Sequence, residues 1–155
     1  LSRDLTDGAV DRAGVRAAID HARVAGEIVD SRIADWDIRI VDTVADNASS
    51  GLYVLGEARV PLSRLDFLAG QMRIERHGAA LTREVVSSGT GAACLGHPLD
   101  AVVWLARTLV RVGRPLQAGD LVLSGAWGPL VRAWPGDRLT LTITGLGSVD
   151  AHFEA

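Results

Sequence analysis

The chain has no lysine: all sixteen basic residues among its 155 are arginine. Schiff-base catalysis and the phosphate-gripping lysine of a P-loop are therefore outside its chemistry. Cysteine is almost as scarce. Cys94 stands alone, which excludes an internal disulfide framework and fits a reducing, cytoplasmic setting. A lone Cys among small residues is expected to be buried rather than to act as a nucleophile. No apolar run approaches the roughly 18 residues that span a bilayer, and the opening LSRDLTDG does not read as a signal peptide. Net charge is −3 with both signs interspersed, so there is no basic footprint for nucleic acid. The four histidines (His21, His77, His97, His152) lack zinc-site spacing. The nucleophile elbow G-x-S-x-G of a Ser-His-Asp hydrolase is missing too.

What is present is enough for one domain, residues 1–155, with nearly half its residues apolar. Helical spacing in DRAGVRAAIDHA, residues 11 to 22, predicts a helix capped by Asp11. A second helix is predicted over GHPLDAVVWLARTLVRVG. It opens at Pro98, with His97 a candidate cap, ends at Gly113, and should bury Val102, Leu105, Leu109 and Val112. The remainder reads as strands at Glu27–Ile33, Leu52–Leu55, Met72–Arg76, Ala80–Val86, Leu121–Ser124, Arg138–Thr144 and Val149–Phe153. Two Gly-Asp turns, AGDLVLSG and PGDRLTLT, each read as the start of a strand. The expected class is α+β, mostly β.

Three places could carry chemistry. Glu27 sits between apolar neighbours in VAGEIVDSRI, where a carboxylate needs either a partner such as Arg32 or Arg23, or a bound cation. The stretch ADNASS (Asp46, Asn47, Ser49, Ser50) reads either as a surface turn or as a ligand-facing loop on a rigid sheet. LSGAWGP, residues 123 to 129, reads either as a tight turn or as backbone amides offered to an anion.

Taken together, GEIVDSRIADW, VDTVADNASSGLYVLG, VSSGTGAACLGHPLDAVVWLA and LVLSGAWGPLVRAWPGDRLTLTITGLGSV resemble the 2-keto-4-pentenoate hydratase group of the fumarylacetoacetate hydrolase superfamily. The resemblance covers nearly the whole chain. It implies a mixed, barrel-like β structure with peripheral helices. It also implies a hydro-lyase of aromatic-compound catabolism that adds water to 2-hydroxypenta-2,4-dienoate, giving 4-hydroxy-2-oxopentanoate. The related 4-oxalocrotonate decarboxylase is the nearby alternative. The cofactor implied is Mg²⁺ or Mn²⁺, held by a Glu-x-Glu pair and a later Glu that corresponds to Glu27. By the same resemblance Asp46 is the catalytic group, relaying a proton or ordering the attacking water. Asn47 and Ser49 would hydrogen-bond the substrate. Arg32 and the Ser124–Gly125–Ala126 turn would hold its carboxylate or shape the pocket. The implied partners are the small-molecule acid and further copies of the chain, with neither nucleic acid nor membrane.

Two departures accompany the resemblance. Gly26 stands where the family usually has a bulky apolar residue. The segment bearing the Glu-x-Glu pair and a substrate-contacting Lys is expected to precede residues such as LSRDL, so the chain reads as a fragment or as a non-catalytic scaffold subunit.

Overall fold

The computed structural model describes residues 1–6 and 10–154. Its first helix, α1 (Arg12–Ala18), starts where Asp11 accepts a hydrogen bond from the Gly14 amide. It stops after seven residues, short of the predicted Ala22, because Ile19 is already extended and Ala22 pairs with Val60. The chain continues as β1 (Ala25–Val29), then a short helix α2 (Ile40–Ala45), a turn at Asn47–Ser49, and β2 (Ser50–Leu55). β3 (Gln71–His77) and β4 (Arg83–Thr90) follow, then α3 (Pro98–Arg111), β5 (Arg138–Ile143) and β6 (Gly147–His152).

The strands form two antiparallel sheets. β1 pairs with β2, and the second sheet has the order β4–β3–β5–β6. The α+β, mostly β class holds. The sheets are antiparallel rather than mixed, and among the described residues no ladder closes them into a barrel. Where they meet, a Cβ on Gly26 would lie 2.6 Å from Leu141 Cδ2 of β5 and 3.2 Å from Val54 Cγ2. The glycine makes room for Leu141, which fills the space a larger side chain at 26 would take. The Gly26 and Val54 face of the β1–β2 ribbon therefore looks inward, toward the second sheet.

α3 begins with His97 as cap, its Nδ1 accepting from the Leu99 amide, and Pro98 opens the helix. Its buried seam is Leu99, Val102 and Ala106, packed with Val15 and Ala18 of α1 and with Leu5, Leu62, Phe67, Met72 and Trp127. Leu105 and Leu109 flank this seam, while the predicted Val112 lies past the helix end and is exposed. Arg12 clamps α1 to α3 through two bonds to Asp100, 2.8 and 2.6 Å.

Three strand predictions change, one of them at the end of β1. The run predicted at Ala80–Val86 becomes a turn at Ala79–Leu81 followed by β4 at Arg83–Thr90. Leu121–Ser124, among the described residues, joins no ladder, so AGDLVLSG does not start a strand, whereas PGDRLTLT does start β5. α2 was not anticipated. Among the described residues, no helix is long and apolar enough to cross a membrane.

Candidate functional site

β1 was predicted to run on to Ile33. It ends at Val29 instead, because the next residues turn to meet Asp46. The Arg32 amide donates to Asp46 Oδ2 (3.2 Å), and the Arg32 guanidinium donates to Oδ1 (3.1 Å) and to the Asp46 carbonyl (3.2 Å). The Ser49 hydroxyl donates to Oδ2 at 2.9 Å. Asp46 is the buried member of the ion pair, with its side chain 6% exposed against 60% for Arg32. Burial alone would raise the Asp46 pKa. The Arg32 amide, the Ser49 hydroxyl and the guanidinium outweigh that and hold the carboxyl below its ordinary value, so it is ionised at neutral pH.

This knot fixes an unusual backbone. Asn47, Ala48 and Ser49 all have positive φ (50°, 58° and 54°), a left-handed conformation that non-glycine residues seldom adopt even singly. Such strain persists where surrounding contacts over-determine it. Here Asp46, Ser49 and Arg32 supply them, together with Asp30, whose amide donates to the Ser49 carbonyl at 2.8 Å. Ser49 is buried and its hydroxyl is committed to Asp46. Arg32 is likewise engaged with Asp46 and with the Ser50 carbonyl (2.9 Å). Asn47 and Ala48 are the exposed members of the turn, and Asn47 presents the polar side chain to solvent.

The same turn closes one end of the β1–β2 ribbon. Glu27 lies mid-ribbon, directly opposite Tyr53. Its face is the one turned away from Leu141, so the carboxylate is exposed. Neither arginine that could have neutralised it does so: Arg32 holds Asp46, and Arg23 Nε donates to the Gly56 carbonyl at 2.6 Å. A free, hard oxygen donor on a sheet face suits a divalent cation as a single ligand. Among the described residues no three His, Cys, Asp or Glu side chains come together, so these residues fit one coordination position and do not form a closed site.

Farther along the ribbon, Ala25 and Leu55 enter the lining of a cleft of about 530 Å³. Its walls include Phe67, Leu99, Val122 and Ser124, with Arg23 and Arg59 bringing charge. Thus Ser124 reaches the cleft at the end remote from the Asp46 turn. The Ser124–Gly125–Ala126 segment is held from behind by the Cys94 thiol, which donates to the Ser124 carbonyl at 2.7 Å. Cys94 is buried as expected, and burial pushes its thiol pKa up, away from nucleophile behaviour. The predicted residues therefore fall in three places, two on the β1–β2 ribbon and one off it. Arg32, Asp46, Asn47 and Ser49 form one cluster, Glu27 lies mid-strand, and the 124–126 segment sits apart at the cleft. Tyr53, opposite Glu27 in register, is a residue that the sequence motifs did not single out.

Residues 1–154 match the family described as "Fumarylacetoacetate (FAA) hydrolase C-terminal". The chain is 53% identical over its full 155 residues to 2-keto-4-pentenoate hydratase of Paraburkholderia xenovorans, and covers 56% of that protein. It is 54% identical over 153 residues to TodF product hydratase of Pseudomonas putida, covering 55% of it. Among solved structures, 4-oxalocrotonate decarboxylase from Pseudomonas putida G7, complexed with magnesium and adipate, superimposes with a TM-score of 0.89 at 36% identity, over 98% of this chain and 56% of that one. The chain spans a little over half the length of the curated relatives it matches. With its match running from Leu1 to Glu154, the chain belongs to the fumarylacetoacetate hydrolase C-terminal family.

Proposed function

We propose that this chain is a single domain that carries the substrate-facing ribbon of a hydratase adding water to 2-hydroxypenta-2,4-dienoate, giving 4-hydroxy-2-oxopentanoate. The observation that carries the reading is Glu27, an exposed carboxylate that among the described residues has no ionic partner, on a face bounded by an over-determined turn and a cleft of mixed lining. Identity of 53% over the length of this chain to a 2-keto-4-pentenoate hydratase supports it. In balance, the conversion delivers a proton to C5 and water across C3 and C4, with the hydroxyl on C4 and the C2 oxygen becoming a ketone.

Glu27 would supply one ligand to Mg²⁺ or Mn²⁺, which when bound lends Lewis-acid stabilisation to charge on the C2 oxygen. Asp46 is ionised and holds no proton to give at neutral pH. Its role is therefore to accept a hydrogen bond from the water that attacks C4, and the proton for C5 comes from another group. Asn47, carried on the strained turn, hydrogen-bonds the substrate. Ser49 and Arg32 act through Asp46, holding it and the turn in place, and the Ser124–Gly125–Ala126 segment shapes the cleft end of the pocket. The decarboxylase reading is favoured by one observation, the close superposition on a 4-oxalocrotonate decarboxylase. Higher identity to the hydratases places it second.

The test uses the full-length protein with Mg²⁺. Loss of the dienol's ultraviolet absorbance with formation of the 4-hydroxy-2-oxo acid is expected. CO₂ release from 2-oxohex-3-enedioate without hydration would establish the second reading instead. Glu27→Gln should sharply lower Mn²⁺ affinity in a calorimetric titration while the fold melts normally. An unchanged affinity would remove Glu27 from the site.

A further inference from the structure

We propose that Tyr53 is a further substrate-contacting residue of this site, its phenol hydroxyl donating a hydrogen bond to the acid held on the Glu27 face. The inference rests on the reading just given and extends it to a residue outside the motif roles.

The ladder places the two side chains together. Glu27 and Tyr53 are register partners in β1 and β2. The Gly56 amide donates to the Val24 carbonyl at 2.9 Å, which sets the bonded phase at the even-numbered residues of this stretch and leaves Glu27–Tyr53 a non-hydrogen-bonded pair. Partners in such pairs stand closest, with Cα atoms about 4.5 Å apart and side chains on one face. That face cannot be core, because the opposite one, at Gly26 and Val54, is filled by Leu141. Tyr53 is 54% exposed and, among the described residues, its hydroxyl is without a hydrogen-bond partner. The next pair on the same face, Ala25–Leu55, leads into the cleft.

The chemistry fits a 2-oxo acid. Near neutral pH a phenol is a protonated donor, and both the carboxylate and the C2 oxygen are acceptors. The opposing strand sets a phenol hydroxyl beside the Glu27 carboxylate, a donor additional to Asn47, and Tyr53 is the chain's sole tyrosine. The bland alternative is that an aromatic residue simply suits a half-exposed strand. That alternative requires Tyr53→Phe to be silent, since the ring and its packing remain.

The experiment uses the full-length protein carrying Tyr53→Phe, titrated calorimetrically with Mn²⁺ and then, at saturating Mn²⁺, with 2-oxopentanoate as an unreactive saturated probe. Affinity for 2-oxopentanoate should fall about fivefold or more, as expected for one lost hydrogen bond, with Mn²⁺ affinity and melting temperature unchanged. Probe affinity within twofold of wild type would overturn the proposal. So would a parallel loss of Mn²⁺ affinity or of melting temperature, which would make Tyr53 a structural residue. Glu27→Gln run beside it separates the two levels: normal Mn²⁺ affinity there overturns the site reading and this inference with it, whereas a Glu27 effect with a silent Tyr53→Phe overturns this inference alone.

Discussion

Asp46 shows how a residue can be singled out from the sequence while its state escapes it. Its place in a polar loop was visible in ADNASS. Its ionisation depends on Arg32, fourteen residues earlier, turning back to supply both a backbone and a side-chain donor, and no local pattern encodes that return. Ser49 escaped for the same reason: a loop serine looks available, yet its hydroxyl is spent on Asp46. Two predictions belong here. Asp46→Asn removes an ionised acceptor and should lower kcat by about 10² in the full-length enzyme with little change in KM. An unchanged kcat with a lower melting temperature would confine Asp46 to holding the turn. The pH dependence has a definite sign. The folded pKa lies below the unfolded one, so the Asp46 contribution to stability is fully present above the ordinary carboxylate range. It is lost as pH falls through the lowered folded value, and melting temperatures measured down a pH series should drop less steeply in Asp46→Asn.

At the scale of elements, β2, β3, β5 and β6 were all legible to within two residues, and the two with a partner on each side came out most closely. β3 and β5 lie at the centre of the larger sheet, and both were found to within a residue or two. Leu121–Ser124 alternates, but alternation records only which side chains are covered. Here all four residues line the cleft, and among the described residues the backbone joins no ladder. β4 was displaced because Ala80 and Leu81 are apolar enough to extend the pattern, whereas the backbone turns there, with Leu81 at φ 62°. α2 went unread because IVDTVA buries nothing, so its apolar residues carry no helical phase against a core. A packing prediction follows from β4. Gly89 lies so close under the Trp127 carbonyl that a Cβ would overlap it, and Gly128 is in contact as well. Nearby, the Ser87 hydroxyl donates to the Pro129 carbonyl at 2.8 Å, pinning the same segment. Gly89→Ala should therefore destabilise by roughly 1–3 kcal/mol, the range for forcing extra volume into a packed contact. Denaturant unfolding measures this, and a loss under about 0.5 kcal/mol would mean the 127–129 segment moves freely.

At the scale of the whole molecule, the apolar surface is unevenly placed. Within the six residues of α2, Ile40, Val41 and Val44 are 77%, 67% and 76% exposed, with Trp36 on the approach and Leu52 on β2 also uncovered. Contiguous apolar area of this kind promotes association. Net charge of only −3 offers weak electrostatic opposition. The 155-residue chain should therefore self-associate as its concentration rises through the micromolar range, which sedimentation velocity would follow directly. Ile40→Glu with Val44→Glu should shift the distribution toward monomer while leaving the melting temperature nearly unchanged, because α2 contributes no buried residue whose loss could unfold the chain. A wild-type chain that stays monomeric throughout would sink the argument. So would a charged double variant that associates as before, since the sticky surface would then lie elsewhere, with exposed Leu130 and Trp134 the next residues to substitute. Cation binding by the same isolated chain is expected to be weak, and hydration of the dienol undetectable, because one free carboxylate cannot offset the cost of stripping water from Mg²⁺. Turnover by the chain alone would place the missing ligands among residues that stand apart in this fold.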